Sequence, residues 1–347
     1  MASIGTKGTP LHVSRPLTPG IIAPLPTFFL PDSEDLDLQA LEVHVVYLAR
    51  AGVRPLLAGT MGEGIHLAPG ERTRIIHAAR KALDAAGFLD VPVIAGAGGG
   101  STRETIALCE EVAAAGADAA IVITPGYFAG VLANHRPALK EFFADVANRS
   151  PVPVIVYNYP GASAGIDLDS DLIVELAATC PNLSGVKLTC GSVGKLTRIA
   201  AAVANPTFDE AHPRKNPSAP FLVLGGLADT ITSSAFVHGH GAITGLANIA
   251  PHALVKLFEL SEAATKDTSR LPEAQQLQGI IARGDFTVGK ASISGTKFLT
   301  DRLYGYGGLP RRPLPPIGRE DAERLWDHPH VEELIKIERE LSGKPLH

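Results

Sequence analysis

Short apolar runs alternate along the chain with longer segments of helical spacing. The runs fall at 21–25 (IIAPL), 53–58 (VRPLLA), 91–95 (VPVIA), 118–123 (DAAIVI), 152–157 (VPVIVY), 183–188 (LSGVKL), 221–225 (FLVLG) and 241–246 (GAITGL). Most are followed by Gly, Thr, Ser or Pro, so they read as short buried strands that end in turns. Between them, 71–86, 102–116, 136–148 and 169–179 carry helical spacing, with a shorter segment at 228–240. In 102–116, Ile106, Cys109, Val112 and Ala113 share one face, and Gly116 stops the helix. Strands alternating with helices predict βα units around a parallel sheet. Eight such units over roughly 230 residues predict a (β/α)8 TIM barrel, whose usual size is about 250 residues. A doubly wound sheet would carry a GxGxxG turn after its first strand. The Gly-rich Gly96-Ala97-Gly98-Gly99-Gly100 instead follows the third strand and has no matching acid downstream.

This pattern divides the chain into a disordered tail over 1–19, a barrel over 20–250 and C-terminal helices over 251–347, broken by Gly and Pro at 305–317 and packed on the barrel. The polar, Pro-rich part of 200–220 reads as an extended loop before the seventh strand. With 347 residues, 45% hydrophobic and 19% charged, the chain can bury a large core. A net charge of −5 and the lack of a basic stripe argue against nucleic acid as a partner. Every apolar stretch is too short to span a membrane. Cys109, Cys180 and Cys190 show no CxxC spacing and suggest a reducing compartment. A cytoplasmic location is the first expectation. No acid precedes Asp32, which leaves mitochondrial targeting as the second.

Lys187 changes the picture most, because it interrupts the apolar run Leu183-Ser184-Gly185-Val186-Lys187-Leu188. Burying an unpaired ammonium is costly, and the usual outcome is a neutral amine able to attack a carbonyl. A lysine that snorkels or pairs with an acid is the competing reading. Barrel active sites form at the C-terminal ends of the strands. Those ends supply Gly59-Thr60-Met61-Gly62-Glu63, Thr124-Pro125-Gly126-Tyr127-Phe128, Tyr157-Asn158-Tyr159-Pro160, Lys187, Gly225-Gly226 and Ile243. The glycines around Thr60 and Met61 would let backbone amides approach a carboxylate. Tyr157 would share the mouth with Lys187, either as a core aromatic or as a proton shuttle. His238 and His240, two apart, do not make a metal-binding pair on one helix face, and no metal is expected.

The motifs GTMGE (59–63), TPGYF (124–128), VIVYNYP (154–160), GVKLT (185–189) and GAITGLANIAP (241–251) occur in order and at suitable intervals. With them the chain, from about 20 to about 325, resembles the pyruvate-dependent class I aldolases of the dihydrodipicolinate synthase and N-acetylneuraminate lyase superfamily. The resemblance implies a (β/α)8 barrel with a C-terminal helical extension, usually assembled as a homotetramer, a dimer of dimers. It implies Lys187 as the Schiff-base lysine, Tyr157 as general acid/base and Thr60 as a hydroxyl that contacts the substrate carboxylate. Met61 would serve through its backbone N–H. Gly226 and Ile243 would line the pocket through their backbones, and Tyr127 would reach across a subunit interface.

One departure bears on the substrate. The synthases carry an arginine after the YNxP motif, whereas Tyr157 to Gly165 (YNYPGASAG) has none. Ser163 could contact the hydroxyls of a sugar-acid tail instead. The segment GYGGLPRRPL (305–314) is similar to 4-hydroxy-2-oxoglutarate and deoxy-sugar-acid aldolases. The resemblance thus implies a lyase that takes a small-molecule 2-oxo acid, 4-hydroxy-2-oxoglutarate or a 3-deoxy-hexulosonate, to pyruvate and an aldehyde. It would need no cofactor beyond the covalent lysine imine. Three alternatives stay open: a synthase condensing pyruvate with an aldehyde, a keto-deoxy sugar-acid dehydratase, and a barrel that binds 2-oxo acids without turnover.

Overall fold

A computed structural model describes residues 14–343. Eight parallel strands close into a barrel in chain order. They are β1 (Gly20–Pro24), β2 (Arg54–Leu57), β3 (Ile94–Gly96), β4 (Ala119–Ile123), β5 (Val154–Asn158), β6 (Leu183–Leu188), β7 (Leu222–Gly225) and β8 (Gly241–Ile243). β8 closes on β1 through Gly20 opposite Gly241 and Ile22 opposite Ile243. Each expected strand is present within a few residues of its predicted limits.

Side chains alternate between two layers, as the pleat of a strand requires. Ile22, Leu56, Ile94, Ile121, Ile155 and Leu224 fill the barrel interior. Ile21, Ala23, Val154, Val156, Val186 and Val223 face the surrounding helices. Since Val186 and Leu188 belong to the outer layer, Lys187 between them projects inward. Gly185 supports this register: its φ is +151°, and a Cβ there would lie 2.5 Å from the Leu222 carbonyl oxygen.

Three sequence expectations need correction. The tail does not extend to residue 19. Leu17 is buried, its amide donates to Ser218 O, and the Arg15 amide donates to the buried Asp118 carboxylate at 2.8 Å. Asp118 also accepts from Val93 N, so residues 14–19 close the N-terminal end of the barrel. Residues 1–13 of that expected tail lie outside the described residues. The barrel also does not stop at 250, because helix Pro251–Lys266 packs on β1 and on helix Ile231–Ala235 as the eighth barrel helix. Finally, the 200–220 loop contains the end of helix Val193–Val203 and a short helix, Pro206–Ala211. Asn205 caps that helix by accepting from Thr207 N, and Pro206 suits its first turn.

The extension proper comprises helices Leu271–Lys290, Ser292–Tyr304, Arg319–Trp326 and Pro329–Ser342. It is fastened to the barrel mouth through Glu63. This residue adopts a left-handed conformation (φ 50°) and is buried. Its Oε1 lies 2.6 Å from Nζ of Lys297, which is fully buried and also donates to Leu309 O. Glu63 Oε2 accepts from the Arg311 amide at 2.8 Å, and the Arg311 guanidinium pairs with Glu71. The Gly/Pro segment 305–317 is thereby bound to the loop after β2. Removing one partner of a buried ion pair strands the other charge. Lys297→Ala should therefore lower the free energy of unfolding by roughly 3–5 kcal/mol in a denaturant titration. A loss below about 1 kcal/mol, the level of an exposed pair, would contradict this role.

Candidate active site

Parallel pairing of β5 with β6 sets Tyr157 directly beside Lys187. Both side chains enter the barrel interior near its C-terminal rim, and Nζ of Lys187 stands 4.2 Å from the centre of the Tyr157 ring. Lys187 is 5% exposed. Two other lysines are equally buried, and their surroundings differ from those of Lys187. Lys195 pairs with Asp167, and Lys297 pairs with Glu63. Among the described residues, Lys187 has no carboxylate partner. The snorkelling and ion-paired readings of this residue therefore fail: it is an amine held over an aromatic face at the bottom of a cavity.

The cavity measures about 180 Å³. Lys187, Tyr157, Thr60, Met61 and Gly226 all line it, brought together from the ends of β2, β5, β6 and β7. Gly226 is required there, because a Cβ would fall 2.0 Å from Thr189 Oγ1 and 2.5 Å from Thr189 Cα. The loop after β2 is equally tight. A Cβ on Gly62 would lie 2.8 Å from Leu25 O, and Thr27 Oγ1 donates to Gly62 O at 2.6 Å. Thr60 is exposed at the rim, and no hydrogen bond joins it to Tyr157 among the described residues. Thr60 and Tyr157 also line an adjoining space of about 320 Å³ bounded by Ile65, His66 and Leu314.

Three other expected site residues lie outside this cavity. Ser163 makes no cavity contact: it is fully buried, and its Oγ donates to Thr124 O at 3.0 Å, tying the β5 loop to the end of β4. Ile243 is fully buried in the interior layer with Tyr157 and is not a lining residue; its successors Thr244 and Gly245 line the cavity instead. Tyr127 is 91% exposed and borders a separate groove of about 630 Å³ with Ile65 and the Gly98–Gly100 turn. In that turn, the amides of Gly99 and Gly100 are taken by Thr105 Oγ1 and Glu104 Oε2, which leaves them engaged locally rather than open to a phosphate.

The cavity also contains residues that sequence reasoning passed over. Tyr159 and Thr189 follow Tyr157 and Lys187 by two positions, and the period of a strand could have singled them out. Tyr159 stacks on Tyr157 with ring centres 5.8 Å apart, and burial raises its phenol above the ordinary value. Thr189 Oγ1 is buried with no hydrogen-bond partner among the described residues. Asp285, from helix Leu271–Lys290, completes the wall, and nothing in its helical sequence signals that placement. Burial, together with the nearby Asp229 carboxylate, raises it to about 7.

The family profile described as "Dihydrodipicolinate synthetase family" matches residues 18–320. A protein of Aspergillus niger named L-threo-3-deoxy-hexylosonate aldolase is 42% identical over 336 residues, 94% of this chain and 98% of its own length. A protein of Emericella nidulans named "Probable 4-hydroxy-2-oxoglutarate aldolase, mitochondrial" is 41% identical, over 95% of this chain and 99% of its own. Among solved structures, YagE of Escherichia coli K12, a prophage protein determined in complex with pyruvate, aligns with a TM-score of 0.74 at 28% identity. That alignment covers 94% of this chain and 99% of YagE. A closed eight-stranded barrel, a buried unpaired lysine beside a tyrosine at its mouth, and matches along nearly the whole chain lead to one assignment: the protein belongs to the dihydrodipicolinate synthetase family of enzymes.

Proposed function

We propose that the protein is a Schiff-base aldolase that cleaves a 2-oxo-4-hydroxy acid to pyruvate and an aldehyde. The observation that carries this reading is Lys187, buried in the cavity without a carboxylate while the other two buried lysines have one. Its amine attacks the 2-oxo carbon, and water leaves with a proton given by Tyr157, which forms the protonated imine and a Tyr157 phenolate. Tyr157 takes the proton of the C4 hydroxyl. The C3–C4 bond then breaks, with its electron pair flowing toward the imine nitrogen to form an enamine while the aldehyde leaves. Tyr157 gives that proton to C3, and hydrolysis of the resulting protonated imine returns a proton to Tyr157, releases pyruvate and frees Lys187. Thr60 and the Met61 amide, at the same rim, receive the substrate carboxylate.

The names of the Aspergillus niger and Emericella nidulans relatives support a deoxy-sugar acid or 4-hydroxy-2-oxoglutarate as substrate, and the pyruvate bound to YagE supports the product. An aldehyde half that carries a carboxylate would need a cation, which disfavours a synthase and weighs against 4-hydroxy-2-oxoglutarate as well: among the described residues, Lys187 is the only lysine or arginine lining the 180 Å³ cavity. In the adjoining space, the Arg72 guanidinium is engaged by Gly96 O and Gly64 O. Steady-state pyruvate release from these substrates tests the proposal, and release from none of them would sink it. Tyr157→Phe should lower turnover by about 10²–10⁴-fold, the range typical of a lost general acid or base. Cleavage at the parent rate would remove Tyr157 from the proton path.

The working assembly we propose is a homotetramer. Ile65 and Tyr127, 94% and 91% exposed, border one groove at the mouth, with Phe128 and Val131 exposed nearby. Such an apolar cluster is suited to burial between subunits. Sedimentation should show one species of four 36.3 kDa chains, weakened by Tyr127→Ala. A single-chain species at micromolar concentration would refute it. No described helix is long and apolar enough to cross a membrane. The word mitochondrial in a relative's name supports a mitochondrial over a cytoplasmic location, and imaging of the tagged full chain distinguishes the two.

A further inference from the structure

We propose that Asp285 is a specificity-determining residue: it accepts a hydrogen bond from a hydroxyl on the aldehyde half of the substrate and selects a neutral, polyhydroxylated tail over one ending in a second carboxylate. This inference rests on the aldolase reading above and narrows its substrate class to 2-oxo-3-deoxy sugar acids.

Asp285 lines the same cavity as Lys187 but comes from helix Leu271–Lys290, outside the barrel. Its Oδ2 accepts from the Ala228 amide at 2.7 Å. Its Oδ1 has no hydrogen-bond partner among the described residues. A purely structural role would be to hold the loop after β7, which carries Gly226. Gln278 already does this, donating to Ala228 O at 2.9 Å and accepting from Thr232 N at 2.8 Å. A neutral amide at 285 could take the Ala228 contact without the cost of a half-buried carboxylate. An acid retained in a cleft against burial and a neighbouring like charge is characteristic of a functional site.

The rest of the lining agrees. Thr189 Oγ1, buried and without a partner, offers a second polar atom to a hydroxylated tail. Once Lys187 is converted to an imine, no lysine or arginine of the lining remains to receive a second carboxylate. Such a group would meet Asp285 as a like charge. The titratable groups sharing the cavity with Asp285 are Lys187, Tyr157 and Tyr159, and Asp229 acts on it from the β7 loop. On the packed helices, Arg283 pairs with Glu333, and His330 bonds Thr287. Because Asp285 ionises at about 7, it is neutral below that pH and charged above it. Rejection of a second carboxylate therefore strengthens as pH rises through 7.

The test compares kcat/KM for a 3-deoxy-hexulosonate and for 4-hydroxy-2-oxoglutarate, in wild type and Asp285→Asn, one unit either side of the Asp285 midpoint. In wild type the ratio favouring the sugar acid should rise by about tenfold across that interval, the order expected for a hydrogen bond to a charged group. In Asp285→Asn it should stay flat and fall below wild type by a similar factor on the alkaline side. Thermal melts of the variant check its fold. If it does not fold, the wild-type pH profile of the ratio decides alone. Pyruvate release from both substrates, with a ratio indifferent to pH and to the variant, overturns this inference and leaves the aldolase reading standing. Release from neither substrate in wild type overturns both.

Discussion

A lysine buried in an apolar barrel interior, with no carboxylate beside it among the described residues, shapes everything around the cavity. A protein that buries lysine for stability supplies a partner, and here Asp167 and Glu63 serve Lys195 and Lys297 in that way. Lys187 receives the face of Tyr157 instead. That arrangement follows from the register of β5 against β6, from the absence of a side chain at Gly185, and from the pleat that turns Val186 and Leu188 outward. The juxtaposition of Lys187 and Tyr157 is thus a property of the sheet rather than of flexible loops, an arrangement that suits chemistry needing fixed groups.

The loops around that pair are held from outside the barrel. Glu63 is clamped between Lys297 and the Arg311 amide, so the C-terminal extension fixes the turn that presents Thr60 and Met61. Asp285 and Gln278 grip the two sides of the Ala228 peptide and fix the turn that presents Gly226. The ends of β2, β5, β6, β7 and β8 therefore meet at one cavity, and two of their loops take their positions from helices that follow the barrel in sequence. The extension contributes to the site as a second wall.

The barrel was legible because eight short apolar runs, each closed by turn residues, leave few other ways to bury their strands. Lys187, Tyr157, Thr60, Met61 and Gly226 were legible because strand ends converge in a barrel, so local sequence specifies a shared location. The failures have equally physical causes. Ser163 reads as a free loop hydroxyl, but the turn folds back and Thr124 O captures it. Ile243 lies one position too early, and the pleat sends it below the cavity while Thr244 and Gly245 form its wall. Leu17 and Arg15 look like tail residues, yet the open end of a barrel must be plugged, and Asp118 provides their anchor. Asp285 could not be read at all, because its role arises from how one helix packs across another element's mouth.

Borohydride reduction in the presence of pyruvate, followed by peptide mass mapping, identifies the lysine that carries the substrate. Reduction converts a transient imine into a stable secondary amine on the lysine that formed it. One adduct is expected, on the peptide containing Lys187. An adduct on Lys195 or Lys297, or none, would contradict it.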